Sequence, residues 1–393
     1  MSKNPWLLPE GMDELVGEQA LCLEALRRQV LDHFESWGYD LVIPPLVEYT
    51  DALLTGIGQD LDLQTFKLTD QLSGRAIGLR ADMSPQAARI DAHTMKAHAI
   101  NRLCYAGTVL RANADVTGNR APVQAGAELF GLSSMEADLE ICSLMLACLR
   151  SLTDRPITLA LSNQLVRKWL DDIIQAHGLD AELVYSLLEG KRLPEWELCV
   201  SEFSLPADLT EQLLCLPRLS GDRGCLARAR ELFSSEQVVC DASDQMEWLA
   251  DGLVAQHEEL DLFFDVGGIC SSDYHSGILF SAYTEISGVA TRLANGGRYD
   301  EVGAAFGRAR PATGFSVDLK VLAQLSPQLR APKKNVYASV PSDADQMASF
   351  WREISRLRAE GYRVTLGYSD DATASERQFD LRLVRGSDHW ALV

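Results

Sequence analysis

Val123-Gln124-Ala125-Gly126-Ala127-Glu128-Leu129-Phe130-Gly131 reads as a β-strand with a polar face. Side chains alternate along a strand with a period of two, so Gln124, Gly126 and Glu128 lie on one side of it. An amide and a carboxylate with a glycine between them leave room for a ligand and offer an acceptor to a cationic amine. A solvated face of an edge strand would carry the same residues. Apolar strand patterns surround this one, and burying an unpaired Glu is costly. That argues for a ligand-facing strand inside a sheet.

Working outward, residues 102–111 give a second strand, joined to the first by the polar loop 112–122. Upstream, residues 13–37 place Leu15, Leu23, Leu26, Val30, Phe34 and Trp37 on one helical face, with Gly38 ending the helix. Residues 39–45 form a short strand stopped by Pro44 and Pro45. Residues 66–80 form a hairpin, and residues 80–89 lead into a helix. Downstream come a long helix with Leu139, Cys142, Met145 and Leu149 on one side, and a strand at 156–162. Residues 164–256 are mostly helical and read as an insertion. Strands return at 260–266, 277–283 and 288–293, followed by a turn at 294–297 and a helix over 314–324. Residues 325–334 read as a linker, and 335–393 as a small α/β unit.

The chain has 393 residues, 47% apolar and 23% charged, as expected of a globular protein with two or three domains. No apolar run reaches the ~18–20 residues of a membrane span. The first ten residues carry no basic stretch before an apolar core, so a cytoplasmic protein is expected. The nine cysteines form no Cys-x-x-Cys pair and read as free thiols in a reducing compartment. Seven histidines without ligand spacing make a metal site unexpected. A net charge of −20 opposes a phosphate backbone. There is no phosphate-binding loop, no Gly-x-Ser-x-Gly elbow and no dinucleotide fingerprint.

Four constellations could carry chemistry. Leu79-Arg80-Ala81-Asp82-Met83-Ser84-Pro85 places Asp82 and Ser84 where a strand meets a helix, a position that also suits a plain helix cap. The second is the strand pair from Tyr105 through Arg111 to Glu128. The third, Asp273-Tyr274-His275-Ser276-Gly277, offers Tyr274 and His275 as the lining of a small polar pocket. In the fourth, Asn295-Gly296-Gly297-Arg298-Tyr299-Asp300, the glycine pair could equally be a tight turn.

In this order, the four resemble the catalytic domain of histidyl-tRNA synthetase, a class II aminoacyl-tRNA synthetase. Residues 38–48 look like its first motif and 103–131 its second; residues 314–319 occupy the place of its third. The resemblance spans roughly residues 5–324. It implies an α+β fold: an antiparallel sheet flanked by helices, with a helical insertion at about 164–256. It also implies that residues 335–393 are a shortened anticodon-binding domain. By resemblance, Asp82 (Glu in the synthetase), Ser84, Arg111, Gln124, Glu128 and Tyr274 contact histidine: Glu128 its α-amino group, Gln124 and Arg111 its carboxylate side, Asp82 an imidazole or ammonium donor. His275 stands where the family has a Tyr.

The departures point away from catalysis. Asn113, Val321 and Cys270 stand where the active synthetase has a Glu that reads adenine and two arginines that handle phosphate and carboxylate. Positioned cations supply most of the stabilisation of such transition states, roughly 3 kcal/mol for one removed donor. A kept pocket with lost chemistry resembles a paralogous family, the regulatory subunits of ATP phosphoribosyltransferase. That resemblance implies a non-catalytic subunit without cofactor, free histidine as effector, and a homodimer as building block. It further implies assembly with the short-form catalytic subunit into a hetero-octamer, without tRNA or membrane. The alternatives are a synthetase-like enzyme activating an amino acid for another acceptor, a working histidyl-tRNA synthetase, and a sensor of uncharged tRNA.

Overall fold

The computed structural model describes residues 6–54, 59–96, 99–114, 118–257, 259–270, 274–325, 334–368, 379–386 and 389–393. The chain divides into two compact units, Met1–Ser326 and Pro327–Val393. The first is built on a nine-stranded sheet. Its order is Asp40–Leu41, Asn101–Thr108, Val123–Phe130, Ala312–Asp318, Val289–Arg298, Ile278–Ile286, Thr158–Asn163, Asp261–Asp265 and Ser220–Gly221. The six strands from Asn101–Thr108 to Thr158–Asn163 are antiparallel, and parallel pairs occur only toward the two edges. This is the α+β arrangement expected from the sequence.

Val123–Phe130 lies inside the sheet, paired on both sides. Its Gln124–Glu128 face is therefore not the solvated face of an edge strand. The opposite face is covered by the helices Glu18–Ser36 and Met135–Leu152: Phe34 packs edge-on against Phe315, and Ile141, Met145 and Leu149 are fully buried. On the Glu128 side, the helix Ser84–His93 starts with Pro85 in its first turn, where the missing N–H costs nothing. Met83, Ala87, Ala88, Leu103, Tyr105, Val109, Phe130, Tyr299 and Val302 form a second core beneath it.

A three-stranded sheet, Val47–Tyr49, Ala76–Leu79 and Phe66–Thr69, contains the expected hairpin. Between residues 164 and 256 lie six α-helices, Leu165–His177 to Gln237–Val254. Gly178 terminates the first in the left-handed conformation, and Asp180 caps the second by accepting the Leu183 N–H. No helix of the described residues is long and apolar enough to cross a membrane. In the second unit, Asn335–Ser339, Arg363–Gly367 and Leu381–Arg385 run parallel, and Trp390–Leu392 adds antiparallel. The helix Ala344–Ala359 covers Val336, Ala338 and Leu383 with Phe350, Ile354 and Leu357.

Three local expectations are corrected. The first helix begins at Glu18, not 13, because Gly17 sits at φ 58°. Residues 294–297 are not a turn: Asn295 pairs with both Ser281 and Ser316 inside Val289–Arg298. Residues 314–318 are strand, and helix begins only at Leu319, where Asp318 accepts the Lys320 N–H. Most of the expected linker, 326–333, lies outside the described residues, as does Asp273.

Candidate functional site

A cavity of about 230 Å³ opens on the face of the sheet away from the two long helices. It is smaller than the ~300–1,000 Å³ clefts that take drug-sized molecules. Asp82, Ser84, Glu128, Tyr274 and His275 line it, with residues 295–297 and 314–316. Five of the seven expected site residues are thus brought together. Gln124 and Arg111 instead line a neighbouring cavity of about 530 Å³, and Asn295 and Ser316 border both.

Glu128 is almost wholly buried. Its Oε1 accepts a hydrogen bond from the Tyr105 hydroxyl at 2.8 Å, and its Oε2 one from the Tyr299 hydroxyl. Burial raises its carboxyl from 4.5 to about 7, and the tyrosine and serine hydroxyls only partly offset this. Burial and the nearby Glu128 push the phenols of Tyr105 and Tyr299 well above 10, so both remain donors. The room at Gly126 belongs to one of them: a Cβ there would meet the Tyr105 hydroxyl at 2.6 Å and the Phe315 carbonyl at 2.5 Å. The glycine thus admits a partner for Glu128, rather than the ligand expected from the sequence. Gly314, opposite Glu128 in the next strand, has its would-be Cβ position taken by the carboxylate itself.

Asp82 precedes the N-cap residue Met83 rather than capping the helix itself; its Oδ1 accepts the Ser84 N–H at 2.9 Å, and it lines the cavity as well. The same oxygen accepts the Gln124 side-chain amide at 3.0 Å, while the Gln124 carbonyl accepts the Met83 N–H at 2.9 Å. Gln124 therefore holds the Asp82 turn against the sheet. Ser84 Oγ lies 3.0 Å from the Tyr105 hydroxyl, completing a chain from the helix start to Glu128. Tyr274 stacks on Tyr299 with ring centroids 5.0 Å apart, and His275 meets Tyr274 edge-on at 4.9 Å. Beneath them Arg298 grips Asp138 of the long helix at 2.7 Å, in a buried pair. It also donates to the Leu132 and Ser134 carbonyls.

Tyr105, Tyr299 and the Arg298–Asp138 pair were not among the expected site residues. Tyr299 and Arg298 sit inside the quoted 295–300 stretch. Tyr105 becomes legible only once its pairing with Gly126 is known.

The family model described as histidyl-tRNA synthetase matches residues 11–322. An ATP phosphoribosyltransferase regulatory subunit of Pseudomonas savastanoi pv. phaseolicola is 41% identical over 99% of this chain and 98% of its own length. That of Teredinibacter turnerae is 42% identical over 98% and 97%. The chain belongs to the ATP phosphoribosyltransferase regulatory subunit family. Among solved structures, an ATP phosphoribosyltransferase regulatory subunit/histidyl-tRNA synthetase of Bacillus halodurans superposes with a TM-score of 0.81. It is 26% identical and covers 96% of this chain and 97% of that one. A histidyl-tRNA synthetase from Nostoc, at 17% identity and TM-score 0.73, shares the fold.

In this family member, two of the positions that depart from the synthetase pattern line other cavities, one bordering the small cavity and one bordering that neighbour. Val321 lines the 530 Å³ cavity with Arg111 and Asp318. Cys270 lines a third, of about 910 Å³, and its carbonyl accepts Arg167 Nη1 at 3.0 Å. Arg167 also lies over the Tyr185 ring at 4.5 Å.

Proposed function

We propose that this chain is a non-catalytic regulatory subunit that binds free histidine in the 230 Å³ cavity. It would confer activity and histidine feedback on a short-form ATP phosphoribosyltransferase catalytic subunit. The observation that carries the reading is a cavity of amino-acid size walled by two carboxylates, Asp82 and Glu128, and by no Lys or Arg among its described lining residues. Such a cavity suits a cationic amine and an N–H-bearing ring. Gln124 and Arg111, across the shared border, supply donors for a carboxylate. The adjoining space, which a synthetase would need for ATP, meets Val321, and a neutral side chain cannot replace a guanidinium fork. Loss of two cationic groups, each worth roughly 3 kcal/mol, supports an inactive adenylation site.

The building block in this reading is an isologous homodimer, and two such dimers join four catalytic subunits in a four-plus-four assembly in the cytoplasm. A free sheet edge at Asp40–Leu41 with exposed Leu41, Ile43, Leu46 and Val47 supports such pairing. The test is a pair of measurements. Calorimetry should find histidine binding to the purified chain, and exchange of pyrophosphate into ATP with histidine should stay at background. Exchange at the rate of a working synthetase overturns the reading. So does an unchanged catalytic subunit when the two are mixed and histidine is titrated.

A further inference from the structure

Asp318 ends the central strand Ala312–Asp318, paired with Gln124 of the neighbouring strand, and lines the 530 Å³ cavity. Two arginines, Arg111 and Arg292, line the same space, with Gln124, Asn295 and Ser316. A cavity with two guanidinium groups ordinarily collects an anion. Here a carboxylate stands among them, and it is fixed in place. Its Oδ1 accepts the Lys320 N–H at 2.9 Å, and its Oδ2 the Asn119 side-chain amide at 3.3 Å. Burial raises its carboxyl, while the Lys320 and Val123 N–H groups and the Arg111 charge pull the other way. The other cations near this end of the strand are engaged elsewhere. Lys320 Nζ pairs with Asp13 at 2.6 Å, and Arg120 lies over the Phe66 ring and donates to the Arg111 and Glu10 carbonyls. Gln124 is taken by Asp82 and Met83. An anion entering the cavity therefore meets Asp318, and finds the charge of Arg111 already opposed by it.

We propose that Asp318 is a specificity residue of this cavity, and that its carboxylate excludes polyphosphate groups, nucleoside triphosphates among them. This rests on the non-catalytic reading above and deepens it. A neutral Val321 only withholds an attraction, whereas Asp318 adds a repulsion. Discrimination commonly uses both, because a pocket that binds the wrong ligand merely less well still fills when that ligand is abundant. A subunit that works beside an enzyme consuming ATP is in that position. Like charges brought together in a partly desolvated space suppress the wrong partner without any contact built for the right one. The repulsion grows with the charge of the intruder. It falls hardest on a triphosphate and least on a zwitterion, whose single carboxylate is accompanied by an ammonium.

The experiment is calorimetry on the full chain with ATP and with adenosine, free of divalent cations. It is run on wild type, Asp318→Asn and Asp32→Asn. The first substitution keeps the side chain's shape and an acceptor for the Lys320 N–H, and Asn119 can turn its amide to suit. The second removes the same charge from an exposed position on the helix Glu18–Ser36. Wild type should bind ATP no more tightly than about 1 mM. Asp318→Asn should bind it at least about tenfold more tightly, by a margin that shrinks as salt is raised. Adenosine carries no charge and should bind wild type and Asp318→Asn alike, and Asp32→Asn should gain nothing for either probe. If thermal unfolding shows that Asp318→Asn does not fold, Asp318→Ser, which also keeps an acceptor, takes its place. ATP binding no tighter in the variant than in wild type overturns the inference and leaves the non-catalytic reading standing. An equal gain for adenosine marks a cavity merely opened, and an equal gain in Asp32→Asn marks net charge; either also overturns it. Histidine-dependent pyrophosphate exchange by wild type sinks the non-catalytic reading and this inference with it.

Discussion

Glu128→Gln separates the two roles of the buried carboxyl. The folded carboxyl keeps its proton up to about pH 7, while an unfolded one releases it near 4.5. The proton therefore favours the folded state, and stability falls as pH rises from 4.5 through 7. At about 1.4 kcal/mol for each tenfold change, the ionised form costs the ligand-free protein about 3 kcal/mol above pH 7. Gln is neutral throughout and fills nearly the same space between the Tyr105 and Tyr299 hydroxyls, each of which can donate or accept. The substitution should therefore be close to neutral at pH 4.5 and stabilising by up to about 3 kcal/mol at pH 8. Histidine binding should move the other way. An ammonium beside Glu128 favours its ionised form, so binding to wild type releases a proton below pH 7, and the variant loses that charge pair. Removing one partner of a desolvated pair costs about 3–5 kcal/mol, or two or more orders of magnitude in affinity. Urea unfolding at pH 5, 6, 7 and 8, with calorimetry in buffers of different ionisation enthalpy, reads both. A Gln variant whose stability relative to wild type does not change with pH refutes the reasoning, because Glu128 is then ionised in the folded protein across the whole range.

Tyr299→Phe removes a donor to Glu128 and leaves the ring stacked on Tyr274, so histidine affinity at pH 7 should fall roughly tenfold with little loss of stability, checked by calorimetry and thermal unfolding. Gly314→Ala drives a methyl into the Glu128 carboxylate and should cost about 1–3 kcal/mol, together with histidine binding; a variant with wild-type unfolding and affinity contradicts the packing described. Ile43→Glu puts a charge in the exposed apolar stretch beside the free edge strand and should turn a dimer into a monomer in sedimentation at micromolar concentration, leaving unfolding within about 0.5 kcal/mol.

What the sequence yielded depended on whether a residue's meaning was local. The Val123–Phe130 strand was legible because alternation is a property of consecutive residues, and burial of a Glu between apolar strands is costly wherever it occurs. The Asp82–Ser84 stretch was legible as a helix start for the same reason, with Met83 rather than Asp82 or Ser84 at the cap position. Asn295-Gly296-Gly297 was misread as a turn, because two glycines favour a bend until other backbone requires them; here two neighbouring strands do. Gly126 was read as space for a ligand, but only the pairing with Tyr105 reveals that a hydroxyl fills it. Arg298 and Asp138 stand 160 residues apart in sequence, and no periodicity connects them. The same distinction bears on how the cavity works. Its two carboxylates are not equivalent: Asp82 is anchored by a backbone N–H and by Gln124, whereas Glu128 is held by two phenols and a proton. Near neutral pH the cavity thus carries less negative charge than its residues suggest, and the proposed cationic ligand would complete the charge by displacing the proton. An effector shifts an equilibrium only by its differential affinity for the two states. A carboxyl whose ionisation follows occupancy supplies such a difference at the wall shared by the Ser84–His93 helix and the sheet, where Ser84 and Tyr105 already join the two.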